Sequence, residues 1–171
     1  MNELEINLPH KEVDAANQAA FPGVTNEQYL FALIHSLANR MQTMGDGLYT
    51  EMTWKQWFAL LGVVSFEKAP GIMEVAERIG TSQQNLKQLL LKLSKAGYVV
   101  LSRDPRDQRR TVIHATDKTM EFETKYSEAT TLIMRDLFAG IDPKNLLSTA
   151  HTLMKMEENL LAIQRQGRKT E

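Results

Sequence analysis

Hydrophobic positions recur every three or four residues along most of the chain, a spacing typical of amphipathic helices. The first two such stretches, over residues 25–45 and 53–65, each begin with a threonine followed three residues later by a glutamine, the pattern of a capping box. We predict a helix for each stretch, and the second, more apolar one should lie in the core. Residues 1–24 show no sustained period and are predicted to be an N-terminal arm.

Two further helices are predicted close together in the middle of the chain. A short amphipathic stretch over residues 72–79 stops at Gly80, a residue suited to the left-handed position that ends a helix. The next helix begins almost at once and ends at Ala96 and Gly97. Its apolar stripe consists of Leu86, Leu89, Leu90 and Leu93.

The pattern changes to β-branched and aromatic runs at residues 98–101 and 111–114, which predict two short strands. The segment between them is highly charged, so we predict a hairpin with an exposed tip. Two long helical patterns follow, one ending at Gly140 and one beginning at Asp142 and Pro143. The predicted fold class is mainly α with a small β-hairpin.

A short helix, a tight turn, a second helix and a charged hairpin occur in the order of a winged helix-turn-helix. The second of these helices has a polar face that could read bases in the major groove, because Gln and Asn amides match an adenine edge. The residues of this face and its N-cap are Ser82, Gln83, Gln84, Asn85, Lys87 and Gln88. The alternative is an ordinary solvated helix surface, but residues 82–96 contain no carboxylate.

The hairpin tip is rich in arginine, which can bind phosphates or enter a narrow minor groove. The candidate DNA-binding residues here are Arg103, Arg106, Asp107, Arg109 and Arg110. We expect Asp107 to pair with an arginine and to stiffen the loop, so that Arg109 is aimed at the DNA. A charge run that only faces solvent is the alternative.

Charge distribution supports the nucleic-acid interpretation. The whole chain has a formal net charge of −1. Residues 82–114 hold seven basic and two acidic side chains, a local charge of +5, so the remainder of the chain carries −6. The sequence therefore predicts a basic patch on an acidic body.

Several other classes of protein lack support in the sequence. With no cysteine, the chain cannot form a disulfide or a thiolate metal site, and its four histidines show no metal-ligand spacing. No glycine-rich phosphate loop occurs, so we predict no catalytic residue, no metal and no cofactor. Because no apolar run approaches membrane-spanning length and the N-terminus does not resemble a secretory signal, we expect a cytoplasmic protein.

The central segment resembles the helix-turn-helix and wing of the MarR (multiple antibiotic resistance regulator) family. The residues that carry the resemblance are 75–82, Leu86, Leu89, Leu93, 97–99 and 104–110, with Asp107 and Arg109 at the Asp-x-Arg of the family's wing. Many relatives have Ser or Thr where this chain has Asn85 and Lys87, which leaves the operator sequence open.

The resemblance implies a homodimeric transcriptional regulator, expected to be a repressor, that binds a pseudo-palindromic double-stranded DNA operator. Residues 25–50 and 117–165 would form the dimerisation region, and residues 51–116 the winged helix-turn-helix, within one continuous domain. The resemblance also implies a cleft for a small aromatic or lipophilic inducer. Candidate ligand-binding residues are His35, Met41, Met44, Trp54 and Phe58. A winged-helix module used only for protein contacts, and packing roles for these five residues, are the alternatives.

Overall fold

The computed structural model describes Ala15 and residues 22–167. Residues 22–167 form, in order, α1 (Asn26–Asp46), α2 (Trp54–Val64), α3 (Ile72–Arg78), α4 (Gln83–Lys95), β1 (Val99–Arg103), β2 (Thr111–Ala115), α5 (Asp117–Leu137) and α6 (Pro143–Gly167). The predicted class, mainly α with a small β-hairpin, is confirmed. The predicted arm over residues 1–24 lies outside the described residues, except for Ala15 and residues 22–24.

The chain divides into two compact units, the first ending at Thr119 and the second beginning at Met120. The boundary lies within α5, whose first three residues belong to the first unit. The grouping of residues 25–50 with 117–165 as a dimerisation region stays a prediction.

Both predicted capping boxes are present. At the start of α1, the backbone N–H of Thr25 donates to the side-chain oxygen of Gln28 at 2.9 Å, and the Gln28 N–H donates back to the Thr25 hydroxyl. Thr53 and Gln56 repeat the arrangement at the start of α2. Each box satisfies two backbone groups that a helix start would otherwise leave without partners, so local sequence determines both starts.

The predicted end of the first helix, at Gly45, is one residue too early. α1 continues to Asp46, with Gly47 as its C-cap, and Gly45 is a buried residue inside the helix. A Cβ atom on Gly45 would lie 1.9 Å from Cε3 of Trp54. Gly45 therefore allows α1 to contact the indole ring of α2.

The core of the first unit is formed by α2, α3, α4 and the hairpin. Its fully buried side chains include Leu60, Val75, Leu86, Leu90, Leu93 and Ile113. Three of these come from the predicted leucine stripe of α4, whereas Leu89 is only half-buried. Because the stripe is buried on the body, the opposite face of α4 remains in solvent.

The hairpin pairs β1 with β2 in antiparallel register, with Leu101 opposite Ile113. Strand β2 is joined to the residues just before α3: the Ile113 N–H donates to the carbonyl of Pro70 at 2.9 Å, and Gly71 forms a bridge with Val112. The start of the hairpin is also held by the buried Thr119, whose hydroxyl donates to the Tyr98 carbonyl at 2.6 Å.

The second unit contains most of α5 and all of α6. α5 ends at Leu137, and Gly140 follows with a φ of +77°, a left-handed conformation that suits glycine. Asp142 caps α6 as predicted, accepting a hydrogen bond from the Lys144 N–H at 2.7 Å. Within residues 143–166, all side chains of α6 are exposed except that of Met156, which is half-buried.

Candidate nucleic-acid interface

The helix-turn-helix consists of α3, a tight turn and α4. Gly80 has a φ of +67°, and the Thr81 N–H donates to the carbonyl of Ala76 at 2.9 Å, so the chain reverses immediately after α3. Ser82 then caps α4, its hydroxyl accepting from the Asn85 N–H at 3.1 Å. This local chemistry places the polar face of α4 directly after the turn.

The polar face of α4 is exposed as predicted, but two of its members are engaged in local hydrogen bonds. The Asn85 side-chain amide donates to the Thr81 hydroxyl at 2.8 Å, and the Ser82 hydroxyl serves as the cap. The remaining polar residues of the face are Gln83, Gln84, Lys87 and Gln88, and all four are exposed. These four side chains present amide and ammonium groups to solvent.

The tip of the hairpin is a loop closed by its own aspartates. Asp104 accepts from the Arg106 N–H and Asp107 accepts from the Arg109 N–H, both at 2.9 Å. The Asp104 N–H also donates to the carbonyl of Arg110 across the neck of the loop. These backbone N–H groups of the loop are therefore satisfied by its own aspartate side chains and by the Arg110 carbonyl. We call residues 99–115, the two strands with this loop, the wing.

Asp107 was expected to form an ion pair with an arginine, but in the structure the aspartate that pairs with an arginine of the wing is Asp104. Asp107 bonds to a backbone N–H, whereas Arg110 forms the ion pairs, with Asp104 at 3.3 Å and with Glu74 of α3 at 2.5 Å. Asp104 is the better placed acid because it lies opposite Arg110 at the neck of the loop. The stiffening expected of an aspartate–arginine pair thus comes from Asp104 and Arg110.

Glu74 is a site residue that the sequence reasoning did not single out. Its carboxylate accepts a hydrogen bond from the Gly71 N–H, and this bond, with the Arg110 guanidinium, holds the pKa of Glu74 below its ordinary value. The carboxylate is therefore ionised at neutral pH. Its position three residues after the glycine before α3 is a capping position, the one signal in the sequence that could have identified it.

An open cleft of about 530 Å³ brings the two predicted DNA-binding elements together. Gln83 and Lys87 of α4 line it with Arg109 and Arg110 of the wing, and Met73 and Glu74 of α3 complete one wall. Arg103 and Arg106 are exposed on the wing outside this cleft. The cleft thus joins an amide and lysine surface to an arginine surface.

The predicted ligand residues all lie on α1 and α2. The His35 imidazole is 3.2 Å from the carbonyl of Phe31 and faces that phenyl ring, with ring centres 4.5 Å apart. Trp54 packs on Gly45 and lies 4.3 Å from Trp57 between ring centres. Met41 is half-buried, whereas Met44 and Phe58 are exposed. Trp54 therefore has a packing role whether or not it contacts a ligand.

In the described part of the chain, no group of three or more His, Asp or Glu side chains could hold a metal ion. Nor, over the same residues, is any helix both long enough and apolar enough to cross a lipid bilayer.

The central segment of the chain is similar to a known protein family. Residues 51–110 match the model of the MarR family. An uncharacterized HTH-type transcriptional regulator of Bacillus subtilis (strain 168), YkoM, is 27% identical over 86 residues, which span 50% of this chain and 56% of that protein. The chain thus matches only about half the length of this curated relative.

Solved structures share the fold over a longer stretch. A MarR/EmrR family transcriptional regulator from Acinetobacter sp. ADP1 has a TM-score of 0.71 at 16% identity and covers 80% of this chain and 98% of its own. The PcaV transcriptional regulator of Streptomyces coelicolor, solved in complex with its natural ligand, has a TM-score of 0.68 at 18% identity, covering 80% of this chain and 96% of its own.

Proposed function

Because the chain carries the winged helix of the MarR family at residues 51–110, we propose that it is a homodimeric transcriptional regulator that binds duplex DNA. In this proposal α4 enters the major groove and the wing contacts the adjacent backbone or minor groove. Two copies would read the two halves of a pseudo-palindromic operator and repress transcription. The chemistry of the interface is binding, with no catalytic step.

The observation that carries the proposal is the juxtaposition of α4 and the wing. The exposed face of α4 offers Gln83, Gln84, Lys87 and Gln88 and has no carboxylate, and Arg109 reaches the same cleft from the wing. Amides and lysine can bond to base edges, while arginine can bond to phosphates. A surface selected only for solubility would mix acidic and basic side chains.

Homodimer formation is supported by the apolar face of α6. Leu146, Leu153 and Leu160 follow one another at seven-residue spacing, and 41%, 42% and 54% of their surfaces are exposed. Leu147, Met154 and Leu161 form a second exposed row beside the first. Two-fold association would bury this face, and two winged helices would then reach half-sites about 10 base pairs apart. Residues 25–50 and 117–165 are the proposed dimerisation region.

A small aromatic or lipophilic ligand is the proposed inducer. The PcaV regulator, which shares the fold, was solved with its natural ligand. In this chain, His35, Met41, Met44, Trp54 and Phe58 are the proposed ligand contacts; Met44 and Phe58 are exposed apolar side chains. Release of DNA requires the ligand to bind the DNA-competent and DNA-incompetent states unequally.

The proposal is tested by titrating the full chain into fluorescently labelled duplexes, including a random library and its own upstream region, and following anisotropy at two salt concentrations. We expect sequence-dependent binding with two chains per duplex and an affinity that falls steeply as salt rises, because bound lysines and arginines release counterions. Ligand-free protein that binds no duplex would contradict the proposal and favour a module for protein contacts.

Arg109→Ala should weaken DNA binding without unfolding the protein. Arg109 is exposed, and losing a phosphate contact from each wing should raise Kd about tenfold and lower the salt slope by about one per chain. Anisotropy measures affinity and circular dichroism checks the fold, with Lys55→Ala, which removes an exposed cation of α2, as a charge-matched control. Unchanged affinity would refute the wing assignment.

A change at Gln84 should instead alter which duplexes are preferred.

A further inference from the structure

Strand β2 of the wing is attached to the helix-turn-helix through backbone atoms. The Ile113 N–H donates to Pro70, and Gly71 bridges to Val112, so β2 is fixed beside the residues that lead into α3. The loop of the wing lies farther along the hairpin. This pairing along β2 does not include the loop itself, and a two-stranded hairpin is only marginally stable by itself, so the direction of the loop remains open to twisting.

Arg110 provides a second attachment, nearer to the loop. One guanidinium nitrogen lies 2.5 Å from the Glu74 carboxylate of α3, and the other lies 3.3 Å from the carboxylate of Asp104. The Asp104 side chain is 15% exposed, compared with 42% for Arg110 and 44% for Glu74. A single guanidinium thus joins the wing to the first helix of the helix-turn-helix, residues that lie 36 positions apart in sequence.

The absence of a side chain at Gly71 makes room for this contact. A Cβ atom there would lie 2.9 Å from Nε of Arg110 and 3.2 Å from the Glu74 carboxylate. The Gly71 N–H also donates to Glu74 at 2.5 Å, which orients the acid toward the wing. We call Gly71, Glu74, Asp104 and Arg110 the wing clamp.

We propose that Arg110 is a positioning residue whose wing clamp fixes the direction of the wing relative to α3 and α4, and that the neighbouring Arg109 is the arginine that contacts DNA. This inference rests on the proposed function. The Arg110 guanidinium already faces two carboxylates, so a phosphate would have to compete with them. Among the ion pairs of the described residues, none involves Arg109.

The proposal predicts an effect whose sign is opposite to that of simple electrostatics. Glu74 is an ionised acid beside a surface that is to meet phosphates, so removing its charge alone should strengthen DNA binding. If Glu74 instead holds Arg110 and thereby the wing, removing its charge should weaken binding. Glu77 offers a matched control, because it is an exposed acid on the same helix outside the wing clamp.

The experiment compares Glu74→Gln with Glu77→Gln in the full chain, using a duplex that the wild-type protein selects from a random library. We expect Glu74→Gln to raise Kd about fivefold, as for losing a partly exposed charge-assisted contact, and Glu77→Gln to leave Kd unchanged or slightly lower. If Glu74→Gln binds as tightly as Glu77→Gln, or more tightly, the wing clamp does not position the wing.

Salt dependence separates positioning by Arg110 from direct contact with DNA. Arg110→Ala should weaken binding while keeping the wild-type slope of log Kd against log salt concentration, whereas Arg109→Ala should lower the slope by about one per chain. A loss of slope in Arg110→Ala equal to that in Arg109→Ala would make Arg110 a phosphate contact and overturn the proposal.

Hydrogen exchange tests the wing clamp independently of DNA. The N–H groups of Asp104 and Arg110 are hydrogen-bonded within the loop, and they should exchange about tenfold faster in Glu74→Gln than in Glu77→Gln. Equal exchange rates would refute the wing clamp. If the wild-type protein binds no duplex, the proposed function fails, and this measurement still decides whether the wing clamp holds the loop.

Discussion

Leu153→Glu is expected to convert the proposed dimer to a monomer and to weaken duplex binding by about a hundredfold or more. Leu153 is the middle residue of the row that contains Leu146 and Leu160, and 42% of its surface is exposed in the single chain. A carboxylate there would have to be buried against an apolar partner surface, which is costly without a compensating charge. A monomer would also lose the simultaneous binding of two half-sites.

Sedimentation velocity and anisotropy, performed on the same samples, test this expectation. Asn159→Glu is the matched control, because helical geometry places Asn159 on the side of α6 opposite the two leucine-rich rows. The control should remain a dimer with wild-type affinity. A dimeric Leu153→Glu variant would remove α6 from the proposed interface, whereas a monomer with full affinity would show that dimerisation is not needed for DNA binding.

Gly45→Ala is expected to lower the free energy of unfolding by about 2 kcal/mol, a typical cost of overpacking. The new methyl group would overlap the indole ring of Trp54, at 1.9 Å from Cε3 and 2.2 Å from Cδ2. Trp54 is itself held by Tyr49 and Trp57, so it cannot move without disturbing two other rings. The better helix propensity of alanine offsets only part of this cost.

Gly47→Ala provides the control for Gly45→Ala. A Cβ on Gly47 would lie 3.5 Å from the nearest atom, the carbonyl oxygen of Met44, which is an ordinary contact. Its φ of −90° is also compatible with alanine, so stability should change by less than about 0.5 kcal/mol. Urea unfolding followed by far-ultraviolet circular dichroism, at one protein concentration, compares the variants. Equal midpoints would mean that Trp54 accommodates the methyl group without cost.

Sequence was most informative where structure depends on neighbouring residues. The helix starts at Thr25 and Thr53 were predictable because a capping box involves residues only three apart. The hairpin was predictable because its two strands and their charged connection are contiguous. The leucine stripe of α4 likewise followed from the helical period, and it left the polar face in solvent.

Sequence was least informative where structure depends on distant residues. Gly45 resembled a helix end because its packing partner, Trp54, belongs to another helix. Choosing between Asp104 and Asp107 as the partner of Arg110 required the path of the loop, which charge alone does not determine. The contact between Glu74 and Arg110 spans 36 positions and depends on the way the wing folds back toward α3.

Both tryptophans of the chain, Trp54 and Trp57, lie on α2, and their ring centres are 4.3 Å apart. Tryptophan emission therefore arises from the first half of α2, beside Phe58 in sequence, and neither tryptophan lines the cleft between α4 and the wing. A ligand that binds at α1 and α2 should quench or shift this emission directly, whereas DNA should change it only through a rearrangement of the protein. The unlabelled protein thus contains its own optical probe for separating the two binding events.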